Sequence, residues 1–339
     1  MEAVQLGRSG LRVSPLALGT MTFGAEADAA TSKQIADRAF DAGVFHWDTA
    51  DMYGHGTSER IVGGLLKGRR DQVVLATKGF ATMGPGANDG GLSARHLIAA
   101  CDASLERLQT DWIDLYYLHL PDRSVPLDET LRAMEDLVRS GRVRYVGCSN
   151  YRAWEVAQLH HTATSKGWQP VTAVQPLYNI VNRDIEVELL PMAQAYGLGV
   201  VTYSPLARGV LTGKYTWGGE APAESRLARS NPRFLKAEWR EASVVAAAEL
   251  ARVAERAGMT PVELALRWAV ANELVSSVLL GARTVEQLDG QLSCLEHAWT
   301  AELEAAVDAV VPPGSHTGRG WPDDAYYPVR GRISGVDTP

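Results

Sequence analysis

Along this chain, short runs of β-branched and aromatic residues alternate with longer stretches in which apolar residues recur every three or four positions. The short runs fall near 16–20, 44–48, 73–77, 113–118, 143–148, 171–175, 198–203 and 276–280, and read as strands. Helical patterns fall near 31–42, 57–67, 93–108, 127–141, 152–164, 184–195, 259–272 and 284–293. Between Ser93 and Leu108, for example, Leu97, Ile98, Cys101, Leu105 and Leu108 share one helix face behind Ser93, a favourable N-cap. That apolar stripe is expected to pack on a sheet. Strand followed by helix, repeated through the chain, predicts parallel strands joined by crossover helices. The economical architecture is an α/β fold closed as a (β/α)8 TIM barrel, with functional residues at the C-terminal ends of its strands.

Three segments depart from the repeat. LGRSGLRVSP at 6–15 reads as an N-terminal hairpin, with Gly10 supplying the tight turn, and is expected to plug the barrel bottom. Residues 217–233, WGGEAPAESRLARSNPR, are rich in turn formers and charge, precede an extra helix near 235–256, and are expected to form a lid. The tail from Pro312 carries aromatics among prolines and glycines, and is expected to fold over the pocket mouth or to fray. Residues 1–339 are expected to make one barrel domain.

A net charge of −7 over 339 residues argues against a nucleic-acid surface, which would show clustered lysine and arginine on a basic chain. The N-terminus lacks a basic segment followed by an apolar run, and no later apolar stretch reaches spanning length, so no membrane association and a cytoplasmic location are expected. Cys101, Cys148 and Cys294 are odd in number and widely spaced, as suits reduced core thiols. No ligand spacing for a metal is present, and His160-His161 reads as a solvated pair on a helix face.

The candidate chemistry centres on FHWDTADMYGHGTSE at 45–59, where Asp48 closes a strand and Tyr53 follows on the next loop. Two later strand ends, ATK at 76–78 and YYLHLPD at 116–122, would bring Lys78 and His119 to the same face. A tyrosine phenol, which ordinarily titrates at about pH 10, is a poor proton source near neutrality unless a cation stabilises its charged form. Lys78 would be that cation, Asp48 would hold it charged and oriented, and His119 would position a carbonyl where Tyr53 meets the developing charge. Taken singly, each residue has a simpler use: a turn-forming Asp, a loop Tyr-Gly, a solvated Lys, a satisfied His. Their order at successive strand ends favours the joint reading.

Competing motifs fail. Neither GHGTSE at 54–59 nor GPGAND at 84–89 supplies the glycine fingerprint of a doubly wound dinucleotide fold. GCSNY at 147–151 lacks the last glycine of a nucleophile elbow, so Ser149 is a poor hydrolase nucleophile.

The blocks LGTMTFG at 18–24, DTADMYGHGTSE at 48–59, LATK at 75–78, DLYYLH at 114–119, VGCSN at 146–150, VQPLYN at 174–179, YSPLARGVLTGKY at 203–215 and VSSVLLGARTVEQL at 275–288 resemble the aldo-keto reductase superfamily. The likeness runs over nearly the whole chain, on the branch that includes bacterial aryl-aldehyde and sugar reductases and potassium-channel β subunits. It implies a barrel binding extended NADPH, and hydride transfer to an aldehyde or ketone with Asp48, Tyr53, Lys78 and His119 as the catalytic quartet and Tyr53 as proton donor. It further implies that Ser149, Asn150 and Gln175 hold the nicotinamide carboxamide, that Tyr203 stacks on the ring, and that Gly19, Thr20, Met21, Asp48 and Gly281 lie against the cofactor.

At the phosphate end the resemblance points to Ser204, Pro205, Leu206, Arg208, Gly209 and Lys214, where small residues permit close backbone approach and lysine supplies countercharge. Arg226 and Arg283 would pair with a 2′-phosphate, favouring NADPH over NADH, and Gln287 and Gln291 would reach the adenosine. Gly290 and Gln291 stand where the family commonly has acid and asparagine residues, which bears on cofactor affinity more than on chemistry.

The expected partner is a small-molecule carbonyl substrate, and homo-oligomerisation is left open by relatives that range from monomers to rings. Met21, Tyr53, Phe80, Tyr151 and Trp217, with Trp321 from the tail, are candidates for an apolar mouth. Arg123 would meet the anionic part of a nucleotide-linked keto-sugar, or form a surface ion pair. A nucleotide-bound regulatory subunit of the channel β type is the alternative, and the presence of His119 speaks for the enzyme. A Schiff-base role for Lys78 conflicts with the paired Asp48, which would keep the amine charged.

Overall fold

The computed structural model describes residues 1–223 and 225–317. A short antiparallel hairpin, β1 (Val4–Gln5) and β2 (Arg12–Val13), precedes eight parallel strands: β3 (Leu16–Gly19), β4 (His46–Asp48), β5 (Val74–Gly79), β6 (Ile113–Leu118), β7 (Val143–Ser149), β8 (Ala173–Gln175), β9 (Gly199–Thr202) and β10 (Ser277–Leu280). They close in the order β10-β3-β4-β5-β6-β7-β8-β9, with β10 bonded to both β9 and β3. The expected barrel is present.

Each barrel strand is covered on both faces. Along β6, Leu115 and Tyr117 point into the barrel with Ala17, Ala76, Ala173, Val201 and Leu279. Tyr116 and Leu118 point outward into the helical layer. This alternation is the period of two that a pleated strand imposes. The helices are α1 (Ala29–Asp41), α2 (Thr57–Leu66), α3 (Ala94–Leu108), α4 (Leu127–Arg139), α5 (Ala153–Ser165), α6 (Leu189–Tyr196), α7 (Pro232–Ala237), α8 (Glu241–Arg256), α9 (Pro261–Ala271), α10 (Val285–Leu292) and α11 (Ala301–Val310). Ser93 caps α3 as expected, accepting from the amide of His96.

The hairpin does plug the barrel bottom, since Leu6 and Val13 are fully buried in the interior cluster. Its left-handed residue is Gly7 (φ +57°), not the expected Gly10. A Cβ on Gly7 would lie 2.4 Å from the carbonyl oxygen of Gly197, so the turn is dictated by a long-range backbone approach.

The helix expected over 184–195 starts as a 3₁₀ turn (Asp184–Glu186) and resumes as α6, which places Pro191 in a first turn, where its missing N–H costs nothing. The single helix expected near 235–256 is two, α7 and α8. Between them Trp239 turns in to pack on Tyr215, Trp217 and Phe234. Helix α11, capped by Thr300, is an element the sequence pattern does not announce. Trp321 and the tail beyond residue 317 lie outside the described residues.

Candidate active site

The C-terminal strand ends converge on one cavity of about 990 Å³. Asp48 ends β4, Lys78 stands next to last in β5, His119 follows β6, Ser149 ends β7 and Gln175 ends β8. Tyr203 follows β9 and Gly281 follows β10. Asp48, Tyr53 and His119 line the cavity, while Lys78 lies just beneath its floor with no exposed surface.

Lys78 holds the floor together. Its ammonium donates to Oδ1 of Asp48, to the carbonyl of Thr49 at 2.8 Å and to the hydroxyl of Tyr53 at 3.4 Å. An ammonium has three protons, and this arrangement uses all of them. Burial alone would push the Lys78 pKa down, but the charge of Asp48, with Tyr53 adding to it, outweighs burial and holds the ammonium above its ordinary range. The second oxygen of Asp48 accepts from Nε2 of Gln175 at 2.8 Å. Across the floor, the His119 ring stands edge-on to Tyr53, centroids 6.2 Å apart.

A second network locks the neighbouring strand ends. Ser149 Oγ donates to the carbonyl of Gln175 at 2.8 Å; Asn150 Nδ2 donates to the carbonyl of His119 at 2.9 Å and to Ser149 Oγ at 3.0 Å. Tyr203 in turn donates to Oδ1 of Asn150 at 2.7 Å. Asn150 adopts a left-handed conformation (φ +67°), which asparagine tolerates better than most residues.

Behind the Tyr53 loop, Asp51 is buried and its carboxyl is pushed up to about 7 by burial and by the nearby Glu59. Glu59 accepts from Thr77 and Arg107, both at 2.6 Å.

At the far end of the cavity the backbone folds tightly, with positive φ at Ser204, Ala207, Arg208 and Gly209. Lys214, Arg226 and Arg283 line this end. Burial and the adjacent Arg283, Arg226 and Arg229 push the Lys214 ammonium below its ordinary value, the mark of crowded positive charge. Arg226 also donates to the carbonyl of Arg208 at 2.8 Å, tying the 217–233 segment to this loop.

Every residue expected at the cofactor lines this cavity: Gly19, Thr20, Met21, Asp48, Ser149, Asn150, Gln175, Tyr203, Ser204, Pro205, Leu206, Arg208, Gly209, Lys214, Arg226, Gly281, Arg283, Gln287 and Gln291. The two glutamines are partly engaged. Gln291 bonds both the amide and the carbonyl of Gly281, and Gln287 accepts from the amide of Arg283.

The expected mouth is different. Met21 and Tyr53 line it, but Phe80, Tyr151 and Trp217 do not; Tyr151 is buried and Trp217 packs on Trp239. Met52 and Leu120 take their place. Both are sequence neighbours of quartet members, which is the signal that would have found them. Thr260, Val262 and Leu279 also line the cavity and carry no local signal. Arg123 is ion-paired with Glu155 at 2.6 Å.

Among the described residues, no helix is long and apolar enough to cross a membrane, and no cluster of His, Cys, Asp or Glu is placed to hold a metal ion.

The profile of the aldo/keto reductase family matches residues 15–312. A Bacillus subtilis protein named as the uncharacterized oxidoreductase YrpG is 37% identical over 330 residues, covering 94% of this chain and 98% of its own. A rice (Oryza sativa subsp. japonica) protein named as a probable voltage-gated potassium channel subunit beta is 37% identical over 319 residues, covering 92% of this chain and 97% of its own. A Schizosaccharomyces pombe protein named as a putative voltage-gated potassium channel subunit beta is 36% identical over 318 residues, covering 90% and 92%. A closed eight-stranded barrel with its polar groups gathered at the C-terminal strand ends, matched by the family profile over most of its length, makes this chain a member of the aldo/keto reductase family.

Proposed function

We propose that this protein is an oxidoreductase that reduces an aldehyde or ketone to an alcohol with NADPH, using Tyr53 as the proton donor. The observation that carries the proposal is the buried Asp48–Lys78 pair reaching the Tyr53 hydroxyl at the cavity floor. Because the Tyr53 oxygen accepts a hydrogen bond from Lys78, its own hydrogen is directed elsewhere, toward the open cavity. Loss of that hydrogen to a carbonyl oxygen leaves a phenolate facing an ammonium that is already in place. His119, across the floor, positions the carbonyl oxygen beside Tyr53. Lys78 has no proton or lone pair to spare for Schiff-base chemistry.

The residues present fit a dinucleotide. The cavity runs from the Tyr53 floor to a cationic end formed by Lys214, Arg226 and Arg283, past a loop of left-handed residues of the kind that forms anion-binding concavities. A reduced nicotinamide bound there supplies the hydride. Ser149, Asn150 and Gln175 would hold its carboxamide, Tyr203 would pack on its ring, and the cationic end would bind the 2′-phosphate. Met21, Met52 and Leu120 give the mouth an apolar rim suited to aryl or alkyl carbonyls.

The test is fluorescence titration with NADPH and NADH, followed by NADPH absorbance decay on adding 4-nitrobenzaldehyde. Replacing Tyr53 by Phe is expected to slow turnover by about 10²–10⁴-fold while leaving NADPH binding in place. A Tyr53→Phe protein as fast as the parent would remove Tyr53 from the chemistry.

A second reading, a nucleotide-bound regulatory subunit, is favoured by the relatives named as channel β subunits. NADPH binding without turnover across a broad carbonyl panel would favour it over the enzyme.

A further inference from the structure

A carboxylate stands beside the cationic end of the cavity, against two of the arginines that line it. Glu26, on the connection between β3 and α1, has Oε2 at 3.7 Å from Nη2 of Arg226 and 4.0 Å from Nε of Arg283, and Oε1 at 3.9 Å from Nη2 of Arg229. Lys214 belongs to the same cluster, where the three arginines push its ammonium down and Glu26 acts in the opposite sense. Glu26 thus faces a cluster of four cations. The contacts are long against the roughly 2.7–2.9 Å of a charge-assisted hydrogen bond, so neither oxygen is locked in a guanidinium fork. Both keep lone pairs for another donor.

A carboxylate beside guanidinium groups recognises two different ends of a dinucleotide. A 2′-phosphate is attracted by the cations and repelled by the carboxylate. An unphosphorylated ribose instead offers hydroxyl hydrogens, which a carboxylate accepts and a guanidinium, having no acceptor, cannot. We propose that Glu26 is a specificity-determining residue at the ribose end of the cavity, accepting the ribose hydroxyls of NADH and so admitting NADH to a site whose cations select NADPH. The inference rests on the dinucleotide reading of the cavity. It assigns the chain use of both cofactors, with Glu26 setting their ratio.

The experiment measures dissociation constants for NADPH and NADH, and for the fragments 2′,5′-ADP and 5′-AMP, on the parent, Glu26→Gln and Arg283→Ala by calorimetry. The near-isosteric glutamine removes the charge and leaves the barrel contacts alone. NADH affinity is expected to fall about tenfold in Glu26→Gln, while NADPH and 2′,5′-ADP bind several-fold more tightly. Arg283→Ala is expected to move the ratio the other way, losing NADPH affinity and keeping NADH. Equal shifts for both cofactors in Glu26→Gln would make the residue a strut for the 217–233 segment and overturn the proposal, as would an unchanged ratio. A parent protein that binds none of the four compounds would overturn the dinucleotide reading itself, a result separate from any change in ratio.

Discussion

Replacing Asp48 by asparagine tests whether charge holds the cavity floor together. In the parent, Asp48 accepts from Lys78 on one oxygen and from Gln175 on the other, with both ionic partners almost fully buried. Asparagine keeps the volume but must turn its NH2 toward one of these two donors. Lys78 is then a buried cation without a counter-charge, a loss of about 3–5 kcal/mol. The variant has one escape, release of the Lys78 proton, and that sets a sign. In the parent the folded Lys78 pKa stands above the ordinary 10.5, so this group's contribution is complete below about pH 10.5 and is lost only as the pH rises through the folded value. In the variant burial is left unopposed by a carboxylate, the folded pKa drops below 10.5, and the unfolded chain binds the extra proton between that lowered value and 10.5. Stability of the variant therefore rises with pH where that of the parent does not. Urea unfolding of both proteins is expected to show a gap of about 3–5 kcal/mol near pH 7 that narrows toward about pH 9.5. A gap below about 1 kcal/mol, or one indifferent to pH, would refute the claim that an uncompensated Lys78 charge is the cost.

Asp51 should show the opposite slope. Its folded pKa of about 7 lies above the ordinary 3.8, so its penalty is absent below pH 4, grows as pH rises and is complete above 7. Asp51→Asn should accordingly gain on the parent, by on the order of a few kcal/mol, between those limits, and unfolding midpoints that track each other across that range would contradict it. Gly79→Ala places a Cβ 2.2 Å from the hydroxyl of the buried Tyr116, and should destabilise by about 1–3 kcal/mol. That hydroxyl has no hydrogen-bond partner among the described residues, so adding Tyr116→Phe should recover most of the loss; a double variant no better than the single one would locate the strain elsewhere.

The barrel is legible because its strands are buried on both faces and so read as short apolar runs, such as Val73 to Ala76, between helices with clear stripes. The placement of Asp48, Tyr53, Lys78 and His119 is legible because they lie at or just past the C-terminal ends of strands. What escapes the sequence depends on contacts far along the chain. Gly7 and Gly10 look equally fit for a turn, and only the backbone at Gly197–Gly199 chooses between them. Trp217 looks like a mouth residue until Trp239, with its own aromatic partners, draws it away. Gln291 reads as an adenine contact, yet its amide is taken by Gly281. Glu26 is some two hundred residues from the arginines it faces, a pairing that local pattern does not encode. Helix α11 escapes for another reason: its Ala- and Glu-rich run leads directly into the Pro- and Gly-rich tail and is masked by it.

Closure of the barrel by its last strand also sets a schedule for synthesis. The whole quartet lies between residues 48 and 119, so a ribosome has made every proposed catalytic group before two-thirds of the chain exists. The wall that would grip a dinucleotide waits for β10 and the turn after it, which must slot between β9 and β3, the first barrel strand made. A partly made chain thus carries the proposed catalytic groups without the pocket, and the pairing that completes the pocket spans some 260 residues and is slow to form. The proposed binding and the proposed reaction would therefore become possible together, at the end of folding, and a C-terminal truncation removing β10 is expected to abolish both at once.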